Sequence, residues 1–168
     1  IVAVTQGDCS NTQALAELLT NENCCQVITF EYPLNRQKKP LLRQIDLLVE
    51  KFNTSWPQVI EVKRELDRIR NKLQYLDQLC WESHQVTGEE NHSWLVAASD
   101  FWGQPREYEK KLDQFLIEAA HRPPVESEIR LGYIGVPPVF TNLYQTLEQK
   151  GVHLVYNEVQ RQFSLPDS

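Results

Sequence analysis

The chain has 168 residues, 41% of them hydrophobic, with 23 acidic and 17 basic side chains and a formal net charge of −6. That apolar content supplies one domain of ordinary size or parts of two, and excludes a chain disordered throughout. The acidic balance speaks against nucleic acid as the partner, because duplex binding needs a basic face; no apolar run approaches the ~18 residues that span a bilayer.

With neither a signal peptide nor a membrane span, the chain reads as cytoplasmic. It opens directly in a strand at Ile1 and contains no Met, so it reads as a fragment of a longer product. Its four cysteines are Cys9, Cys24, Cys25 and Cys80, with no C-x-x-C pair. This is neither a disulfide framework nor a self-contained zinc site. The four histidines (His84, His92, His121, His153) are scattered and give no metal-site spacing.

Ile1-Val2-Ala3-Val4 is a short β-branched apolar run, as in a buried parallel strand. After Thr5-Gln6-Gly7-Asp8-Cys9, the spacing of Leu15, Leu18 and Leu19 marks one apolar face of a helix. Ser10 with Gln13 fits an S-x-x-Q capping box and predicts the helix start there. Cys9 then sits just before a helix N-terminus, where unpaired N–H groups and the dipole favour a thiolate. The competing role for Cys9 is that of a small buried hydrophobe. Cys25 to Tyr32 is a second strand, so residues 1–33 form a βαβ unit with parallel strands and a right-handed crossover. Cys24 and Cys25 fall at the strand end away from the Cys9 loop and read as structural.

A polar, basic loop from Leu34 to Lys39 follows, and Pro40 suits a first helical turn. Leu41, Leu42, Ile45, Leu48, Val49 and Phe52 stripe that helix. Pro57 opens another, in which Val59, Val62, Leu66, Ile69, Leu73, Leu76 and Cys80 alternate spacings of three and four. This fits either a coiled-coil seam or a long helix packed within its own domain, with Cys80 in the core. Thr87 and Glu90 predict a capping box for a helix carrying Trp94, Leu95 and Ala98. A further helix shows Tyr108, Leu112, Phe115, Leu116 and Ala119, and His121 to Pro124 reads as a linker.

Ile129–Ile134 is then a strand, Gly135-Val136-Pro137-Pro138 a turn, and Phe140 to Leu147 a helix ended by Gly151. Val152–Tyr156 is the last strand, followed by a polar cluster of Asn157, Glu158, Gln160 and Arg161, read as preceding no further helix. The expected architecture is α/β with parallel sheets: 1–33 the end of one α/β lobe, 34–124 a helical connecting region, and 125–168 the start of a second lobe. Two strands are too few for a stable open sheet, so each lobe reads as part of something larger.

The stretches Val4 to Thr12 and Arg130 to Pro138, the latter continuing through Gly151 to Ser164, resemble the iron–sulfur component of the 2-hydroxyacyl-CoA dehydratase / benzoyl-CoA reductase family. The resemblance implies two Rossmann- or flavodoxin-like lobes joined by helices, and a [4Fe–4S] cluster held by three cysteines from separate strand–loop–helix turns. It implies an acyl-CoA thioester substrate that loses water through a ketyl radical, after a separate ATP-dependent iron–sulfur activator delivers one electron. A second homologous subunit or a second copy of the chain would complete the enzyme. Cys9 matches one cluster ligand; Cys24, Cys25 and Cys80 match none. Gln6, Ser10 and Asn11 are candidates for hydrogen bonds to the cluster sulfurs or substrate, or for plain capping and turn roles. Gly135 and Pro137 are candidates for lining the acyl-CoA cleft, or form a rigid turn. Glu158 is the candidate proton carrier, Arg161 the candidate phosphate contact and Asn157 a candidate second-shell or substrate-binding residue, against a solvated loop with an internal ion pair. The competing function is a non-catalytic interaction module dimerising through the 59–80 helix. A nucleotide-binding role is weaker, for want of a G-x-G-x-x-G or G-x-x-x-x-G-K-[ST] loop.

Overall fold

The computed structural model describes every residue except Asp8, Cys24, Arg36, Thr141 and 166–168. The structural reading of Cys24 therefore lies outside the described residues. The chain divides into two compact units, Ile1–Glu61 and Val62–Ser168. It is mixed α/β, with two small parallel sheets, as the pattern predicts.

The first unit runs β1 (Val2–Gln6), α1 (Ser10–Asn21), β2 (Ile28–Glu31) and α2 (Lys38–Lys51). β1 and β2 pair in parallel, from Val2↔Ile28 to Gln6↔Glu31, with an irregularity between Val4 and Gln6. The strands are shifted from their expected bounds: β1 reaches Gln6, and β2 starts at Ile28 rather than Cys25. The capping box at Ser10 does not form. Cys9, with extended backbone, is itself the N-cap, Ser10 is the first helical residue, and the Gln13 amide donates to Glu17 Oε1 at 3.2 Å. Gly7 adopts φ +93°, and a Cβ there would lie 3.3 Å from Cβ of Tyr32. A glycine is what lets the chain turn this tightly after β1.

The second unit begins inside the long helix α3 (Trp56–Trp81). It continues through α4 (Gly88–Ala97), a single 3-10 turn at Phe101–Gly103, and α5 (Pro105–Ala119). β3 (Ile129–Tyr133), α6 (Leu143–Glu148), β4 (Val152–Asn157) and α7 (Glu158–Ser164) complete it. Ile69, Leu73, Leu76 and Cys80 of α3 are buried with Leu95, Tyr108 and Leu112 in one core, and Leu66 packs against it. The heptad-like spacing is therefore packed inside the unit from Leu66 onward, while Val62 of the same stripe is exposed. The Thr87–Glu90 capping box forms with both of its bonds, at 3.1 and 3.0 Å. The aromatics are core rather than a ligand cage: Tyr108 stands edge-on to Trp94 and Phe101, and its hydroxyl donates to the Trp94 carbonyl at 2.6 Å.

β3 and β4 pair in parallel from Ile129↔Val152 to Tyr133↔Asn157. Gly88 lets α4 start hard against β4: an added Cβ would lie 2.6 Å from the Leu154 carbonyl oxygen. Residues 120–128 form no regular element, yet the segment is tied down, with Arg122 paired to Glu90 at 2.7 Å and stacked over Phe115. The polar segment after β4 is not a loop. It is helix α7, and its inward face is Gln160 and Ser164, both fully buried. No helix among the described residues is long and apolar enough to cross a membrane.

Candidate functional site

In the first unit, the carboxyl ends of β1 and β2 lie side by side, with Gln6 opposite Glu31 and the Tyr32 N–H donating to the Gln6 carbonyl at 3.1 Å. The loops that follow both strands therefore leave one edge, where parallel α/β sheets place their ligands. Gln6, Cys9, Ser10 and Asn11 stand together there, and all are exposed. Cys9 occupies the N-cap of α1 (φ −76°, ψ 161°), and its carbonyl accepts from the Thr12 N–H at 3.1 Å. Its sulfur is 3.7 Å from Thr12 Oγ1. The sulfur stands at the positive end of a 12-residue helix.

The other sequence-predicted residues lie in the second unit. Gly135 has φ +143° and Pro137 is half-buried; the turn they share is pinned by Tyr133 Oη, which donates to the Val136 carbonyl at 3.0 Å. Asn157 ends β4 and is fully buried. Its Oδ1 accepts from Tyr144 Oη at 2.6 Å, and its Nδ2 donates to Asn91 Oδ1 at 2.9 Å. Glu158 is half-buried on the first turn of α7. Arg161 pairs at 3.2 Å with Asp77 of α3, not with Glu158, and lies over the Tyr156 ring at 4.7 Å. The expected internal ion pair of a solvated loop is replaced by a tie from α7 to α3.

Reading the sequence for apolar periodicity missed this polar interior. Asp77 is 1% exposed, accepts from Asn91 Nδ2 at 3.1 Å, and extends the chain Tyr144–Asn157–Asn91–Asp77–Arg161. Burial pushes the Asp77 carboxyl up, while Arg161 and the Asn91 amide pull the other way. Alongside, Gln160 Nε2 meets His92 Nδ1 at 2.9 Å, and His92 stacks on Tyr144. A signal was present: Asp77 follows Leu73 by four residues, so it shares the core-facing stripe.

The cysteines separate by environment. Cys80 is fully buried, near His153 Nε2 at 3.7 Å and the Leu154 carbonyl at 3.6 Å. Burial pushes its thiol well up, so it stays protonated and unreactive. His153 is itself buried beside His84, with Nδ1 to Nδ1 at 3.2 Å, and burial lowers its basicity. Cys25 is half-buried. An iron–sulfur cluster asks for accessible thiolates. Of the described cysteines only Cys9 is exposed, and no group of three or more His, Cys, Asp or Glu among the described residues is placed to hold a metal. The described residues fit one corner of a cluster and not a whole one.

No curated protein matches the sequence. The family described as 2-hydroxyglutaryl-CoA dehydratase, D-component, matches it over residues 1–167. With essentially the whole length matched, and a parallel-sheet α/β structure of the expected kind, the chain belongs to that dehydratase D-component family.

Proposed function

We propose that this chain is the iron–sulfur-carrying part of a 2-hydroxyacyl-CoA dehydratase, in which Cys9 supplies one thiolate to a [4Fe–4S] cluster. The observation that carries the reading is Cys9 itself: an exposed sulfur at the N-cap of α1, on the carboxyl edge of a parallel sheet, in a chain matched along its length by a dehydratase family. Among the described residues no group of three or more potential ligands is assembled, so the cluster needs thiolates beyond those residues. The cluster, when bound, supplies a low-potential electron and a Lewis-acidic iron. The substrate is an acyl-CoA thioester carrying a 2-hydroxyl, which leaves as water once a one-electron reduction has made the thioester a ketyl radical. The electron comes from a separate ATP-dependent iron–sulfur activator, and a companion subunit, homologous or a second copy, completes the enzyme.

This chain's own residues have simpler tasks. The N-terminus of α1 stabilises negative charge at Cys9. Gln6, Ser10 and Asn11 stand exposed around it as hydrogen-bond donors toward sulfur or substrate. In the second unit, Gly135 and Pro137 shape the turn after β3 for the acyl-CoA. Asn157 holds the β4–α7 corner, so that Glu158 is set to carry a proton and Arg161 to meet a phosphate. The domain organisation follows the same reading, with 1–33 and 125–168 as parts of two α/β lobes and 34–124 as their helical connection.

The test is turnover. Protein carrying this chain, prepared without air and combined with its activator and companion subunit, is expected to dehydrate a 2-hydroxyacyl-CoA, and the Cys9→Ser variant is expected to lose that activity. Full activity in the variant would exclude Cys9 from the chemistry.

A further inference from the structure

Two histidines that the proposed chemistry does not use meet inside the second unit. His153 of β4 is fully buried, and His84, in the turn after α3, is half-buried. His153 Nε2 lies 3.1 Å from the Val86 carbonyl, which only accepts, so that nitrogen carries the hydrogen. In the neutral ring the other nitrogen, Nδ1, is then a bare acceptor. It faces His84 Nδ1 at 3.2 Å, so His84 supplies the hydrogen of that bond. The rings stand 5.3 Å apart, tilted by 60°. One backbone carbonyl thus sets the tautomer of both rings.

Several segments are fastened at this pair. His84 has φ +58°, a left-handed turn out of α3, and its carbonyl accepts from the Val125 N–H at 2.6 Å. Beside it, Gln85 Nε2 donates to the Ala120 and Arg122 carbonyls at 2.9 and 3.1 Å. Arg130, opposite His153 in the sheet, donates to the Trp81 carbonyl at 2.8 Å. The 83–86 turn, the 120–125 connection and β4 are therefore held together around the two rings.

Protons are what this arrangement absorbs badly. One on His153 is accommodated if His84 moves its own hydrogen from Nδ1 to Nε2. A second sets N–H against N–H and like charge against like charge. Burial is the largest effect against a proton on His153, His84 and Arg130 of β3 add to it, and the Val86 carbonyl opposes them. From α3, α4 and α6 come Asp77, Glu90 and Glu148, whose charges reach the Cys80 sulfur, itself 3.7 Å from His153 Nε2. The His153 value in the folded protein lies below 6.5, so the stability contributed by the neutral ring is full above about pH 6.5 and is lost as the pH falls below it. We propose that His84 and His153 form an acid-sensitive latch, which fastens the 83–86 turn and the 120–125 connection to the second sheet and releases them as the pair takes up protons. The latch is independent of the dehydratase reading.

The experiment is nuclear magnetic resonance on the full-chain protein, reading imidazole nitrogens and amide hydrogen exchange. In mildly alkaline solution His153 is expected to carry its hydrogen on Nε2 and His84 on Nδ1; any other pair of tautomers would overturn the latch. Protection of the Val125 N–H, corrected for intrinsic exchange, is expected to fall about tenfold for each pH unit below about 6.5, because opening takes up a proton. Protection that holds steady through that range would overturn the proposal. The control is His84→Asn, since asparagine tolerates the left-handed backbone and offers both a donor and an acceptor to His153 in either protonation form. Its protection is expected to change less than about threefold over the same range, and a loss as large as that of the wild type would place the acid sensitivity elsewhere. Should the variant not fold, the wild type alone decides: the two imidazoles must titrate in the same window in which Val125 loses protection, and separate windows would contradict the latch.

Discussion

The two units of this chain bury their apolar residues to very different degrees. In Val62–Ser168, Leu73, Leu76, Leu95, Tyr108 and Leu112 are all fully buried in one cluster. In Ile1–Glu61 the only hydrophobic residues described as buried are Ala3 and Ala16, and α2 buries none of its residues. Leu15 and Leu18 on α1 are 54% and 58% exposed. Yet the thinly packed unit carries Cys9. The difference teaches that the main core and the Cys9 edge are separated along the chain: residues 62–168 hold a core of their own, while residues 1–61 present a sheet edge with little hydrocarbon behind it.

The largest test of that separation is a pair of truncations. Leu73→Ala removes a side chain with no exposure and is expected to cost about 3 kcal/mol and to lower the melting temperature by roughly 10 °C. Leu15→Ala on α1 is expected to change stability by less than about 0.5 kcal/mol. Equal losses in thermal melts would erase the contrast. Next in size is Gly88→Ala, where the added methyl meets the Leu154 carbonyl oxygen and Cβ at 2.6 and 2.8 Å. A cost of about 2 kcal/mol is expected, since neither backbone has room to withdraw without displacing α4 from β4.

A smaller effect concerns acid. In the folded protein the Glu109 carboxyl falls from 4.5 to about 2, mainly through its hydrogen bond with Arg68, with Lys72 adding to it and burial opposing. Because the folded value lies below the unfolded one, the contribution is full above about pH 4.5 and is lost as the pH falls through 4.5 toward 2. Glu109→Gln is expected to lower neutral-pH stability by about 1 kcal/mol after solvent screening of the exposed Arg68 partner, and to flatten the acid limb of the stability curve. An unchanged acid limb in urea titrations would show that the pair contributes nothing.

Much of this was legible in the sequence because the signals were periodic. The βαβ units, the parallel pairing, the Thr87 capping box and the burial of Cys80 all follow from apolar spacing and turn chemistry. Helix α7 was not legible for a stated reason: its inward face is Gln160 and Ser164, so its pattern is polar at helical spacing and reads as a loop. Asp77 and Asn91 were missed for the same cause, since a polar residue on a core stripe shows its partner only in three dimensions. The start of α1 differs by one residue because Ser10 and Gln13 match a capping motif by spacing alone, while the chain turns one residue earlier at Cys9. The surroundings of Cys9 were readable because a strand, a glycine turn and a leucine-striped helix are local. The rest of its ligand set is not a local property.

The account rests on Cys9 as an iron ligand, and iron content measures that most directly. Protein carrying this chain, reconstituted anaerobically, is expected to hold about four irons per cluster, and Cys9→Ala is expected to lose most of that iron while melting at the wild-type temperature. A Cys9→Ala protein that keeps its full complement of iron would contradict the claim.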